Sequence, residues 1–85
     1  MFSIYANLFK EVFFITIQNK IALTINESAE YTNIGRNTLR NLIQWNKLSV
    51  LKVGNKILIR KEILDKFVLE NQNNNLRNKH EVIAI

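Results

Sequence analysis

The spacing of apolar positions changes along the chain, and each change marks an element. Within residues 1–20, Tyr5, Leu8, Phe9, Val12 and Phe13 recur at i, i+3 and i+4, which predicts a helix, and Phe14 to Ile17 then reads as strand. This aromatic-rich extension is expected to pack on the core, or else to offer an apolar contact surface. "ALT" at 22–24 is a short strand that ends at a helix start. Thr24 and Glu27 have capping-box spacing, so hydroxyl and carboxylate can each satisfy the other's backbone N–H. They predict a helix from about Ile25 to Tyr31. "TNIG" predicts a turn, in which Gly35 can take the left-handed conformation at no steric cost. A second helix follows from Arg36 or Asn37 to Trp45, with Leu39, Leu42 and Ile43 as its apolar seam and Asn46 as its left-handed stop.

The period then shortens to two. "LSVLKVGNKILIR" at 48–60 holds two strand-like runs around Gly54-Asn55, a pair that suits a type II′ hairpin turn. That turn pairs Val53 with Lys56, Lys52 with Ile57 and Val50 with Ile59. Leu48, Val50, Ile57 and Ile59 then share a core face. Leu51 and Leu58 fall on the other face and need cover, which the N-terminal extension could provide. A third helix is expected from Lys61 to Glu70, burying Ile63, Leu64, Phe67 and Val68. The last stretch, "NQNNNLRNKHEVIAI", is Asn-rich and polar until its end and is expected to be a mobile tail over 71–85, although its closing "VIAI" could add a strand elsewhere. The pattern therefore describes a small α+β domain over residues 21–70: three helices, a β-hairpin and a short N-terminal strand.

Composition narrows the function. Eighty-five residues suit one core, and 47% hydrophobic content suits a globular chain. There is no cysteine, which excludes disulfides and thiolate metal sites and fits a cytoplasmic location. No apolar run reaches the ~20 residues that span a bilayer, and Lys10 and Glu11 interrupt the only stretch resembling a signal sequence. His80 is the only histidine and lies in the tail, so neither a Ser-His-Asp set nor a multi-histidine metal site can form. The two glycines make no phosphate loop. No enzyme activity, cofactor, metal or small-molecule substrate is expected.

Charge points elsewhere. The net charge is +5 and the pI about 9.8, which favours a polyanionic partner. No Asp or Glu occurs between Glu30 and Glu62, while Arg36, Arg40, Lys47, Lys52, Lys56, Arg60 and Lys61 fall in that gap. A merely solvated face would mix both signs. The gap covers the second helix of a helix, tight turn, helix sequence, the order of a helix-turn-helix. Away from its seam this helix offers Arg36, Asn37, Thr38, Arg40, Asn41, Gln44 and Lys47. Arg matches the acceptor pair of guanine, and Asn or Gln matches adenine. Arg36, Thr38 and Lys47 near the helix ends suit phosphates. The hairpin reads as a wing, with Lys52, Gly54, Asn55 and Lys56 at its tip. Trp45 could stack on a sugar or base, but packing is the favoured role. Double-stranded DNA is the expected partner.

In order, "LT", "ESAEY", a turn, "RNTLRNLI", a basic hairpin with "VG", and "ILIRKEILDKF" resemble the excisionase family. These are winged helix-turn-helix proteins related to the MerR-type fold, and the likeness is strongest to the small excisionases of conjugative transposons. It covers about residues 21–70. The resemblance implies a non-enzymatic recombination directionality factor that binds attachment-site arms of an integrated mobile element, bends the DNA and assists a tyrosine-recombinase integrase in excision. It implies partner copies along the DNA, with the second helix in the major groove and the wing on the neighbouring backbone or minor groove. Asn46 stands where members often have Gly, and Ser49 and Arg60 where they often have Pro. A small transcriptional regulator is the alternative on the same fold. A non-DNA interaction or membrane-surface protein, using the N-terminal apolar segment, is the more distant one.

Overall fold

A computed structural model describes residues 20–85. The helix and strand expected within residues 1–19 lie outside the described residues. The element order is β1 (Ala22–Leu23), α1 (Ile25–Thr32), α2 (Arg36–Gln44), β2 (Leu51–Val53), β3 (Lys56–Arg60) and α3 (Lys61–Glu70). It is the α+β winged helix-turn-helix architecture expected from the pattern.

The caps form as the residue types dictate. Thr24 Oγ1 accepts from the Glu27 N–H at 3.2 Å, and Glu27 Oε1 accepts from the Thr24 N–H at 3.0 Å. Lys20 forms an ion pair with the same carboxylate. Partial burial pushes the Glu27 carboxyl up, but the bonds from Lys20 and the Thr24 backbone outweigh it and hold the pKa below the ordinary value. Because the folded pKa is depressed, this contribution to stability is present above the unfolded pKa of about 4.3 and is lost as pH falls through the folded one. Acid denaturation of Glu27→Gln should therefore show a shallower decline below that pH than the parent. Thr24→Ala should lower stability by about 1 kcal/mol at neutral pH in urea titration. A Glu27→Gln acid limb parallel to the parent's would contradict the cap's role.

At the first turn, the left-handed residue is Asn33 (φ 61°), not Gly35, which instead caps α2 in an extended conformation (φ −59°, ψ 147°). Asn is the next-best residue after Gly for the left-handed region, so both residues fitted the turn and position decided between them. At the other end of α2, Asn46 is left-handed (φ 59°) as expected. Its N–H donates to Ile43 O and the Lys47 N–H to Leu42 O, which is the paired pattern of a Schellman stop.

The hairpin keeps the expected register, Val53 opposite Lys56 and Lys52 opposite Ile57, with Leu51 opposite Leu58. Gly54 carries the positive φ of 61°, and Asn55 does not. A type II′ turn requires that combination. β1 adds antiparallel to β3, Ala22 against Arg60 and Leu23 against Ile59, so β3 is the central strand of a sheet ordered β1-β3-β2.

Leu23, Leu39, Leu42, Leu48, Ile59, Leu64 and Phe67 form the buried core where α1, α3 and β3 meet. α2 packs on α1 and places Leu39 and Leu42 directly in this core. Trp45 packs against the core, in keeping with the packing role. Val68, expected inside, is 44% exposed. One residue turns a helix by about 100°, so an arc centred on Leu64 and Phe67 continues at Asn71, not at Val68. On the sheet's outer face Leu51 is half exposed. The cover expected for it from the N-terminal extension lies outside the described residues. Tyr31 Oη donates to Asp65 Oδ1 at 2.6 Å and ties α1 to α3. That bond, with partial burial, raises the Tyr31 pKa above the ordinary value.

Residues 71–85 differ from a polar mobile tail. Val82 is buried in the core, and Leu76 and Ile85 pack against it. Leu76, Val82 and Ile85 are too few and too unevenly spaced to set a sustained helix or strand period in this Asn-rich stretch.

Candidate nucleic-acid interface

α2 is nine residues long, and its apolar seam faces inward at Leu39 and Leu42. Helical spacing then turns Asn37, Arg40, Asn41 and Gln44 outward together, and all four are exposed. Arg36 is exposed at the helix start and Thr38 is half-buried. Arg40 Nη1 donates to Asn37 Oδ1 at 3.3 Å, so one turn of the helix presents a braced Arg–Asn pair. Arg36 Nη1 donates to Asn26 Oδ1 at 3.3 Å across the turn. Asn26 is a neighbour of the site that sequence reading missed, because ten residues separate it from Arg36.

Lys47 stands apart from this face. The left-handed Asn46 ends the helix before it, and Lys47 is half-buried beyond the stop. A cleft lined by Ile43, Asn46, Leu48, Ser49, Val50 and Lys52 separates the end of α2 from the start of the hairpin. At the hairpin tip Lys52, Gly54, Asn55 and Lys56 are all exposed. A Cβ added at Gly54 would meet nothing within 4 Å, so its positive φ, not space, calls for glycine. Arg60, one of the cations in the acid-free gap, pairs with Glu62 at 3.0 Å.

Against this geometry, a helix-turn-helix domain family matches residues 22–72. The match begins at β1 and ends just past α3, so it takes in α1, α2 and the hairpin together. The chain belongs to the helix-turn-helix domain family. No curated protein and no solved structure matches it. Membership supports a DNA-binding role for this helix-turn-helix protein. Among the described residues, no helix is long and apolar enough to cross a membrane.

Proposed function

We propose that this helix-turn-helix protein binds DNA sequence-specifically as an excisionase-type accessory factor. In this reading α2 lies in the major groove. Asn37, Arg40, Asn41 and Gln44 meet base edges there, and Arg36 and Thr38 hold phosphates. The hairpin tip, through Lys52, Gly54, Asn55 and Lys56, rests on the flanking backbone or minor groove. Lys47 belongs to the backbone-contacting set. The observation that carries the reading is the sign and exposure of one surface. The outward residues of α2 are cationic or amide, the hairpin tip carries Lys52, Asn55 and Lys56 beside Val53 and Gly54, and residues 31–61 contain no side-chain carboxylate. The start of α2 adds to it, since Gly35 leaves the first N–H groups without a side-chain cap and such an end favours a phosphate.

The finer assignment follows the likeness to excisionases. The protein would sit in the cytoplasm on the arms of an integrated element, in several copies, bend the DNA and assist a tyrosine-recombinase integrase, without catalysis of its own. Footprinting the ends of the host element, with and without that integrase, tests it. Protection of repeated sites and stimulated excision are expected. Protection confined to a promoter would instead make it a transcriptional regulator, and no protection anywhere would overturn DNA binding.

Lys56→Ala tests the wing separately. Affinity should weaken evenly across sequences, and the slope of log K against log salt should fall by about one unit. An unchanged slope would remove Lys56 from the interface.

A further inference from the structure

Asn71 is the one strongly buried side-chain amide among the described residues, at 5% exposure, and neither the helix face nor the hairpin uses it. It takes the next position in the stripe of Leu64 and Phe67, where an apolar residue would be the ordinary choice. Its hydrogen-bonding capacity is filled. Nδ2 donates to Phe67 O at 3.0 Å and to Ile83 O at 3.0 Å. Oδ1 accepts from the Ile83 N–H at 2.8 Å and, more distantly, from Asn74 Nδ2 at 3.4 Å. The two bonds to Ile83 copy the exchange by which one strand residue pairs with another, with a side-chain amide in place of a peptide.

What this clamp holds reaches the candidate interface. Val82, beside Ile83, is buried in the core. Two residues beyond Ile83, the Ile85 N–H donates to Lys47 O at 3.0 Å. Ile85 O accepts from the Ser49 N–H at 3.1 Å and from Ser49 Oγ at 2.9 Å. Lys47 and Ser49 lie in the irregular link that joins the stop of α2 to β2. β2 is a three-residue edge strand, paired on one side only, so it does little to stiffen that link.

We infer that Asn71 is a positioning residue for DNA binding. Its amide pins Val82–Ile85 so that Ile85 braces the link and sets the placement of the hairpin relative to α2. The inference rests on the reading of α2 and the hairpin as two parts of one DNA surface. Two contact groups engage one rigid duplex together only if their spacing is set beforehand, and ordering a loose link on binding costs affinity. The strap touches no expected base or phosphate contact except through the Lys47 backbone.

The test measures affinity and salt slope on a short duplex that the full chain selects from a random-sequence pool. Four proteins are compared: parent, Asn71→Ala, Lys56→Ala and the double variant. Thermal unfolding is recorded for each. Asn71→Ala should remain folded at the assay temperature, bind about tenfold more weakly, and show a reduced salt slope because the hairpin no longer docks in register. Adding Lys56→Ala to it should then cost little, since that contact is already lost. A second variant ending after Ile83 leaves the clamp and Val82 in place and removes the brace together with the Ile85 side chain's packing on the core, so it keeps the question open to measurement if Asn71→Ala unfolds. It should reproduce the weaker binding and lower slope. Parent-like affinity and slope in the folded variants, or losses that simply add to those of Lys56→Ala, overturn the positioning role alone. A parent protein that selects and binds no duplex overturns the DNA reading and the positioning role with it.

Discussion

Arg40→Ala should weaken binding to the preferred duplex by about 1–3 kcal/mol and relax preference at one base pair. Arg40 is exposed on the outward face of α2, and its guanidinium is braced by Asn37 at 3.3 Å. The planar fork of an arginine matches the O6 and N7 acceptors of guanine in two parallel bonds, which an alanine cannot replace. Removing an exposed side chain of this kind leaves the core untouched, so thermal stability should stay close to that of the parent. Arg40→Lys makes the comparison sharper. It keeps the charge, so it should retain most of the salt slope while losing the base preference. The measurement is a set of titrations against duplexes that each change one base pair. An even loss across all of them would make Arg40 a phosphate contact and pass the reading role to Asn37, Asn41 and Gln44.

Phe67→Ala should cost about 3–5 kcal/mol of folding stability. Phe67 is the largest fully buried side chain among the described residues, and it sits with Leu64 on the inner face of α3. Domains of this size hold roughly 5–15 kcal/mol in total, so the variant should be substantially unfolded at moderate urea. DNA binding should disappear with the fold. Val68→Ala, the neighbouring change, should cost far less, about 0.5–1 kcal/mol, because that residue is already 44% exposed. Urea titration of both variants checks the placement. Equal costs, or a larger one at Val68, would mean that α3 is rotated from the arrangement described here.

Several features of the fold were legible because their causes are local. Thr24 and Glu27 name a helix start, since both hydrogen bonds close within four residues. Gly54-Asn55 sets the hairpin register, since a two-residue turn leaves one way to pair its flanks. Asn46 names the stop of α2, since few residues accept a left-handed backbone. The outward set on α2 came from the 3.6-residue period alone. The same locality explains the turn at "TNIG", where two residues tolerate the left-handed conformation and Asn33 takes it as the C-cap of α1, its N–H donating to Ala29 O. Val68 was misplaced for a related reason: an apolar residue at the edge of a helical stripe can fall on either side of it.

By itself the sequence determined the elements between Ala22 and Glu70, their order, the hairpin register and the basic, acid-free character of residues 31–61. Each of these follows from neighbours a few positions apart. Only the tertiary structure decided that β1 joins β3, that Tyr31 meets Asp65 across 34 positions, and that residues 71–85 return to the core. It also decided that Ile85 lies against Lys47 and Ser49. Those contacts join segments far apart in the chain, and no local periodicity encodes them. A buried amide such as Asn71 looks in sequence like its exposed neighbours in an Asn-rich run. Its difference is set by which backbone groups the fold brings within reach of it.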